Sequence, residues 1–198
     1  MNINNLILSG AWDNTLKLWS TTSGLNIKTF NGYTGWVNSV CFSPNYLQDN
    51  LILSGSFDKT IKLWSTESGL NIKTFTGHID SVISVCFSPN FENDNLILSC
   101  SYDRTIKLWS TESGLNIKTF IGHTRSVVSV CFSPNYLQDN LILSGSYDNT
   151  IKLWSTEPTV LQSIKTFTEH TDVVTSVCFA PSIDDSIFNY MKRSVPDE

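Results

Sequence analysis

The chain repeats itself every 45 residues, and a chain that does so buries its apolar side chains by stacking one copy on the next. Gly32, Gly77 and Gly122 mark the period. The next copy puts Glu169 at the same point, 47 residues on, with its two extra residues inside STEPTVLQSIKTF (155–167), against STESGLNIKTF (110–120). The copies are nearly identical over long stretches; CFSPNYLQDNLILSGS begins at both Cys41 and Cys131.

Each unit divides into four short strand-like pieces. In one copy these are SVISVCFS (81–88), ended by Pro89 and Asn90; NLILSCS (95–101), followed by a tight turn at Tyr102, Asp103 and Arg104; TIKLWS (105–110), which alternates apolar and polar; and LNIKTF (115–120), entered through Ser113-Gly114. Val, Ile, Thr and aromatic residues fill the pieces and no 3.6-residue period is present, which disfavours a helical repeat. Four strands per ~45 residues with turn residues between them describe a propeller blade. The expected fold class is all-β: a β-propeller of about four four-stranded antiparallel blades.

Composition agrees with a packed domain. Of 198 residues, 40% are hydrophobic and 16% charged, with six Trp and eleven Phe. The net charge of -5 argues against nucleic acid as the main partner, because phosphate binding needs a surplus of Lys and Arg. No apolar run approaches the ~20 residues of a membrane helix, and the short apolar run after MNINN has no basic region ahead of it. Four of the five cysteines, Cys41, Cys86, Cys131 and Cys178, recur in the same apolar VCF context, which is a buried-strand position rather than a disulfide framework. They read as free thiols, and the expected location is intracellular (cytoplasm or nucleus), not secreted. No Cys-x-x-Cys or His-x-x-x-His spacing occurs, so neither a metal nor another cofactor is expected.

At this point the chain resembles the WD-repeat family. Gly77-His78 and Gly122-His123 match its Gly-His dipeptide. SGSFDKTIKLW (54–64), SCSYDRTIKLW (99–109), SGSYDNTIKLW (144–154) and SGAWDNTLKLW (9–19) match the body of its repeat. The resemblance covers residues ~5 to 181. Three departures stand out: Trp-Ser in place of the family's Trp-Asp, as at Trp64-Ser65; Tyr33 where His is expected; and Glu169 in place of Gly before His170.

Each unit also holds a His, a Ser, an Asp and a Trp at fixed spacing: His78, Ser99, Asp103 and Trp109, then His123, Ser144, Asp148 and Trp154, with the partial set Ser54, Asp58 and Trp64 before them. Ser, His and Asp invite a hydrolytic reading. A catalytic constellation occurs once, however, beside an oxyanion hole, whereas this one recurs per blade next to a Trp whose indole N–H wants a buried acceptor. The resemblance implies a structural network tying strand, turn and loop together. An enzyme would need a unique acid or nucleophile that breaks the repeat, and Tyr33, Cys100 and Glu169, which do break it, make no recognisable pair.

Counting strands leaves the ring open to three arrangements. Residues 1–31 supply three strands and lack a first one, three full units follow (32–76, 77–121, 122–168), and TSVCFA (175–180) in the partial unit 169–181 supplies one more. The N- and C-terminal strands could share one blade, with His170 completing the set Ser9, Asp13 and Trp19. Two chains could instead form one eight-bladed ring, or the chain could be part of a longer propeller. Residues 182–198 form a divergent tail.

Function is expected at one rim. The residue before each turn Asp is aromatic: Trp12, Phe57, Tyr102 and Tyr147. A turn position of that kind would ordinarily be polar, so four aromatics on one rim make a candidate binding patch. Nearby loops add Trp36, Asp80, Arg125 and Asp172, which differ between copies while the framework does not. The expected role is a non-catalytic scaffold or adaptor holding a protein or peptide, as monomer or homodimer. Lys28, Lys73, Lys118 and Lys165, repeated in the outermost strand, read as solvated positions.

Overall fold

The computed structural model describes residues 5–181, and these form fifteen strands and three helical turns in four blades. The first blade has three strands, β1 (Leu6–Gly10), β2 (Leu16–Ser20) and β3 (Asn26–Phe30). The second holds β4 (Val37–Phe42), α1 (Tyr46–Asp49), β5 (Leu51–Ser56), β6 (Ile61–Ser65) and β7 (Asn71–Phe75). The third holds β8 (Val82–Phe87), α2 (Phe91–Asp94), β9 (Leu96–Ser101), β10 (Thr105–Ser110) and β11 (Asn116–Ile121). The fourth holds β12 (Val127–Phe132), α3 (Tyr136–Asp139), β13 (Leu141–Ser146), β14 (Ile151–Ser155) and β15 (Lys165–Phe167). Every pairing is antiparallel between consecutive strands.

The local chemistry explains the elements. Pro44, Pro89 and Pro134 stop the first strand of each full blade, and a single helical turn follows. Asn50, Asn95 and Asn140 close those turns at φ 53–54°, a left-handed conformation that Asn tolerates better than most residues. Ser88 and Ser133 donate to the carboxylates of Asp94 and Asp139 at 2.5 Å, and the same carboxylates accept the N–H of Leu96 and Leu141. Sequence reading missed these turns because four residues are too few to show a helical period.

The core lies between blades rather than within them. Leu53, Ile61, Leu63 and Phe75 of the second blade close against Val82, Val85, Ile97 and Trp109 of the third. The same residue types meet between the first and second blades and between the third and fourth. Val82 and Val85 lie so close to Gly55 that an added Cβ there would sit 2.7 Å and 2.9 Å from their Cγ1 atoms; in the third blade Cys100 takes that place and is itself fully buried. The first strands face an axial cavity of about 460 Å³ lined by the Cys-Phe segments, Cys41, Cys86, Cys131 and Cys178 among them. All five thiols are free. Burial pushes Cys41 up to about 12 and Cys131 up to about 11, so neither is a nucleophile near neutrality.

Among the described strands no blade is shared by the two ends: residues 174–180 are outside every described sheet, and β1 pairs with β2 alone. The segment follows the internal rule instead. Val177 N–H donates to Ser129 Oγ at 3.0 Å, as Val85 N–H does to Ser39 Oγ at 3.1 Å, and Val174 and Val177 fill the space beside Gly145. Each first strand is thus locked beside its predecessor, and residues 174–177 lie against the fourth blade in the same way. The divergent tail, 182–198, lies outside the described residues.

The reading of the outer lysines as solvated is corrected. Lys28 Nζ donates to the carbonyls of Thr66 and Glu67 at 2.7 and 2.8 Å, Lys73 Nζ to those of Thr111 and Glu112 at 2.8 and 2.7 Å, and Lys118 Nζ to Ser155, Glu157 and Val160. Each lysine reaches the next blade and satisfies a turn whose carbonyls have no strand partner. Lys73→Met keeps the stem and removes the donor; it is expected to lower stability by about 1 kcal/mol, a solvent-screened charged hydrogen bond, as read by the urea midpoint.

Candidate functional site

The recurring His, Ser, Asp and Trp meet in the third and fourth blades. In the fourth, His123 Nδ1–H donates to Asp148 Oδ2 at 2.8 Å. Ser144 Oγ–H donates to His123 Nε2 at 2.8 Å, and Trp154 Nε1–H donates to Ser144 Oγ at 2.8 Å. The indole can only donate and the carboxylate can only accept, so proton positions along the chain are fixed from both ends. In the third blade the corresponding distances are 2.7, 2.8 and 2.9 Å, through His78, Asp103, Ser99 and Trp109. Ser99 and Ser144 are fully buried, with their hydroxyls committed to two ring systems, so neither offers a nucleophile to a substrate.

The second blade shows what its departure does. Tyr33 lies in the histidine's place and its hydroxyl reaches Ser54, 2.7 Å from Oγ and 2.9 Å from the carbonyl, while Trp64 Nε1–H donates to Ser54 Oγ at 2.8 Å. Tyr33 makes no bond to Asp58, whose Oδ2 keeps the backbone N–H of Thr34, as Asp103 and Asp148 keep those of Ile79 and Thr124, but has no ring partner. In the first blade the set is open. Trp19 donates to Ser9 at 2.8 Å, but Asp13 bonds only Thr15, and His170 is exposed with no hydrogen bond to Ser9 or Asp13. Among the described residues, then, His170 does not complete this set within the chain.

The sequence reading also missed partners. Thr105 and Thr150 donate both backbone N–H and hydroxyl to the Oδ1 of Asp103 and Asp148, and Ser101 and Ser146 bond the backbone N–H of the same aspartates. The signal was present as Ser-x-Asp-x-Thr in the three later copies, with Ala11 in place of the serine in the first. Burial alone would raise the Asp148 carboxyl; hydrogen bonds from Thr150, the Thr124 backbone and His123 outweigh it and bring it down to about 2. Asp103 is held well below the usual carboxylate range by the same balance, with His78 and Thr105 as its donors. Burial pushes His123 below the ordinary histidine value of 6.5, against the pull of Asp148.

The pH dependence follows. The unfolded chain takes up a proton at His123 near pH 6.5, while the folded chain resists it to lower pH, so stability is fully present above 6.5 and falls as pH drops through the folded value. Asp148 adds a second loss between its unfolded value of 3.8 and about 2. Urea denaturation across this range is expected to show midpoints falling in both windows. A His123→Gln chain should lose the first decline; retention of it would assign the decline elsewhere.

The rim aromatics separate into two groups. Trp12 and Trp36 stack with centroids 4.6 Å apart and planes at 15°, and Phe57 lies 5.1 Å from Trp36. Trp12 is 72% exposed, Trp36 42% and Phe57 48%. Tyr102 and Tyr147 form a separate pair 6.1 Å apart, Tyr102 exposed and Tyr147 half-buried. Asp80, Arg125 and Asp172 are exposed on the same loops; Arg125 Nη1 reaches the Tyr147 carbonyl at 3.3 Å, and Asp80 and Asp172 each bond the next backbone N–H. Trp36 stands where the later copies have Ser81 and Ser126, and this break in the repeat turns two aromatics into a continuous apolar platform.

Comparison with known proteins adds the following. A model of the WD domain, G-beta repeat family matches residues 3–20, 24–65, 69–110, 114–155 and 161–182, well over half of the chain. A 37-residue stretch is 43% identical to nuclear distribution protein nudF 1 of Talaromyces marneffei and equally so to nuclear distribution protein PAC1-2 of Uncinocarpus reesii. Each match takes in 19% of this chain and spans only 8% of the relative's length. Among the described residues, no group of three or more His, Cys, Asp or Glu could hold a metal, and no helix is long and apolar enough to cross a membrane.

Proposed function

From the premise that this chain belongs to the WD domain, G-beta repeat family, we propose that it is a non-catalytic, intracellular adaptor that holds a peptide on the rim carrying Trp12, Trp36 and Phe57. The observation that carries the reading is the exposed Trp12–Trp36 stack with Phe57 beside it. Aromatic rings held in place by turns lose little entropy on binding, and Trp and Tyr dominate binding energetics when a partner covers them. Asp13 adjoins Trp12 in sequence and its carboxyl is lowered by hydrogen bonds from Thr15, so the platform has an anionic border. Together with the net charge of -5, this favours a peptide with an aliphatic or aromatic side chain flanked by Lys or Arg.

Selection from a displayed peptide library tests it. The wild-type chain is expected to enrich such sequences and to bind them with a change in Trp fluorescence. Each platform Trp should contribute at least about 2 kcal/mol, roughly thirtyfold in affinity, so the variant with Trp12, Trp36 and Phe57 all changed to Ser should not bind. Its circular dichroism melt should stay close to the wild type's, because exposed substitutions move stability by only about 0.5 kcal/mol each. Equal peptide binding by the two proteins would defeat the proposal, and unfolding of the variant would make the rings structural.

A further inference from the structure

The two ends of the blade array are unmatched halves of one interface, and we propose that a second copy of this chain supplies the missing half, joining head to tail. The internal junctions define the interface. At each, an Ile and a Trp of the following blade are sealed by the preceding one: Ile52, Ile97 and Ile142 are 0% exposed and Trp64, Trp109 and Trp154 are 1% exposed. The equivalents in the first blade are Ile7, 52% exposed, and Trp19, half-buried. At the other end, Phe167 is 39% exposed, whereas Phe30, Phe75 and Phe120 are each covered by the next blade's Trp at 5.8–5.9 Å.

Three polar features agree with the same docking. Among the described residues, Asp13 Oδ2 and Ser9 lack the histidine that Asp103 and Ser99 have, and His170 lacks the Asp and Ser that His78 has. Gly69 and Gly114 are each approached by the stem of a lysine from the preceding blade, Lys28 and Lys73, but nothing lies within 4 Å of the corresponding position at Gly24. Lys165 is the lysine in register for that position; its Nζ lies 5.1 Å over its own Phe167 ring, as Lys118 Nζ lies 5.1 Å over Phe120, but unlike Lys118 it has no following blade to reach among the described residues. The free edge of β1, finally, lacks the first strand that residues 174–179 would supply. The register of β4 on β5 transposes to Val177 opposite Ser9 and Cys178 opposite Leu8.

Two copies joined at both ends make a closed ring of eight blades, within the range that propellers use, with no strand edge left open. The set Ser9, Asp13 and Trp19 is complete only with the partner's His170.

Sedimentation velocity on the 198-residue chain tests the proposal. Wild type is expected at twice the 22.2 kDa chain mass. Ile7→Asp and Phe167→Asp, both at exposed positions, should each fall to single mass with unchanged circular dichroism, and mixing them should restore association through the one intact joint. A wild-type monomer overturns the proposal, whether because the tail covers the exposed faces or because nothing does; so does a dimer that both variants retain. Mild oxidation of the Leu8→Cys chain gives an independent reading that needs neither aspartate variant to fold. A disulfide between Cys178 and the new thiol that doubles the mass on a non-reducing gel supports the joint, and the same bond formed within one chain overturns it.

Discussion

Ser99→Ala is expected to lower folding stability by about 2–4 kcal/mol. The hydroxyl stands between His78 Nε2 and Trp109 Nε1–H, both inside a fully buried site, and its removal leaves two polar groups unpaired at about 1–3 kcal/mol each. No water replaces it in a space one hydroxyl wide. The control is Ser9→Ala, made with Ser99→Ala in a Phe167→Asp background so that association does not enter. Ser9 accepts only Trp19 Nε1–H, in a site that is half open, and solvent can take over the bond. Its cost should stay below about 1 kcal/mol. Equal losses at the two serines, measured by urea denaturation, would show that burial of the full set contributes nothing beyond the single Trp–Ser bond.

Trp109→Ala should cost more, about 3–5 kcal/mol, comparable with the whole stability of a modest domain. Its ring is 1% exposed and closes the junction with Leu53, Ile61, Leu63 and Phe75 of the preceding blade. In a stacked array each unit is stabilised by its neighbours, so the loss falls on the joint between the second and third blades and not on one blade alone. Denaturation is then expected to lose its single steep transition, with a smaller slope against urea, and amide exchange should quicken first in β5–β10. Trp109→Phe separates the contributions: it keeps most of the buried ring but orphans the Ser99 acceptor, and should cost about half as much. A variant that melts in one unshifted transition would mean that the blades fold independently of this contact.

Much of the fold is legible in the sequence because the period copies local chemistry. Strand limits like those at 105–110, the Pro stops and the Ser–Asp–Trp spacing each appear three or four times, and what is repeated in sequence is repeated in space wherever the same neighbours are present. The residues that broke the pattern were harder to place. Tyr33 has the donor for Ser54 but cannot also serve Asp58, since a phenol has one hydroxyl where imidazole has two nitrogens. Trp36 changed the rim more than the four in-register aromatics did, because stacking depends on a ring in the neighbouring loop.

Sequence by itself determined the blade: its four strands, its turns and the buried polar set that pins them, all set by interactions within ~45 residues. Only the tertiary structure decided what happens between and beyond blades. It sent Lys28, Lys73 and Lys118 across to the next blade's turn carbonyls, which alternation along a strand cannot reveal, since a solvated lysine and a bridging one occupy the same outward position. It also carried residues 174–180 past the fourth blade, leaving Ile7 and Phe167 uncovered at opposite ends. The physical reason is the same in both cases: a period fixes what each unit contains, whereas the angle at which one unit packs on the next decides whether the last meets the first.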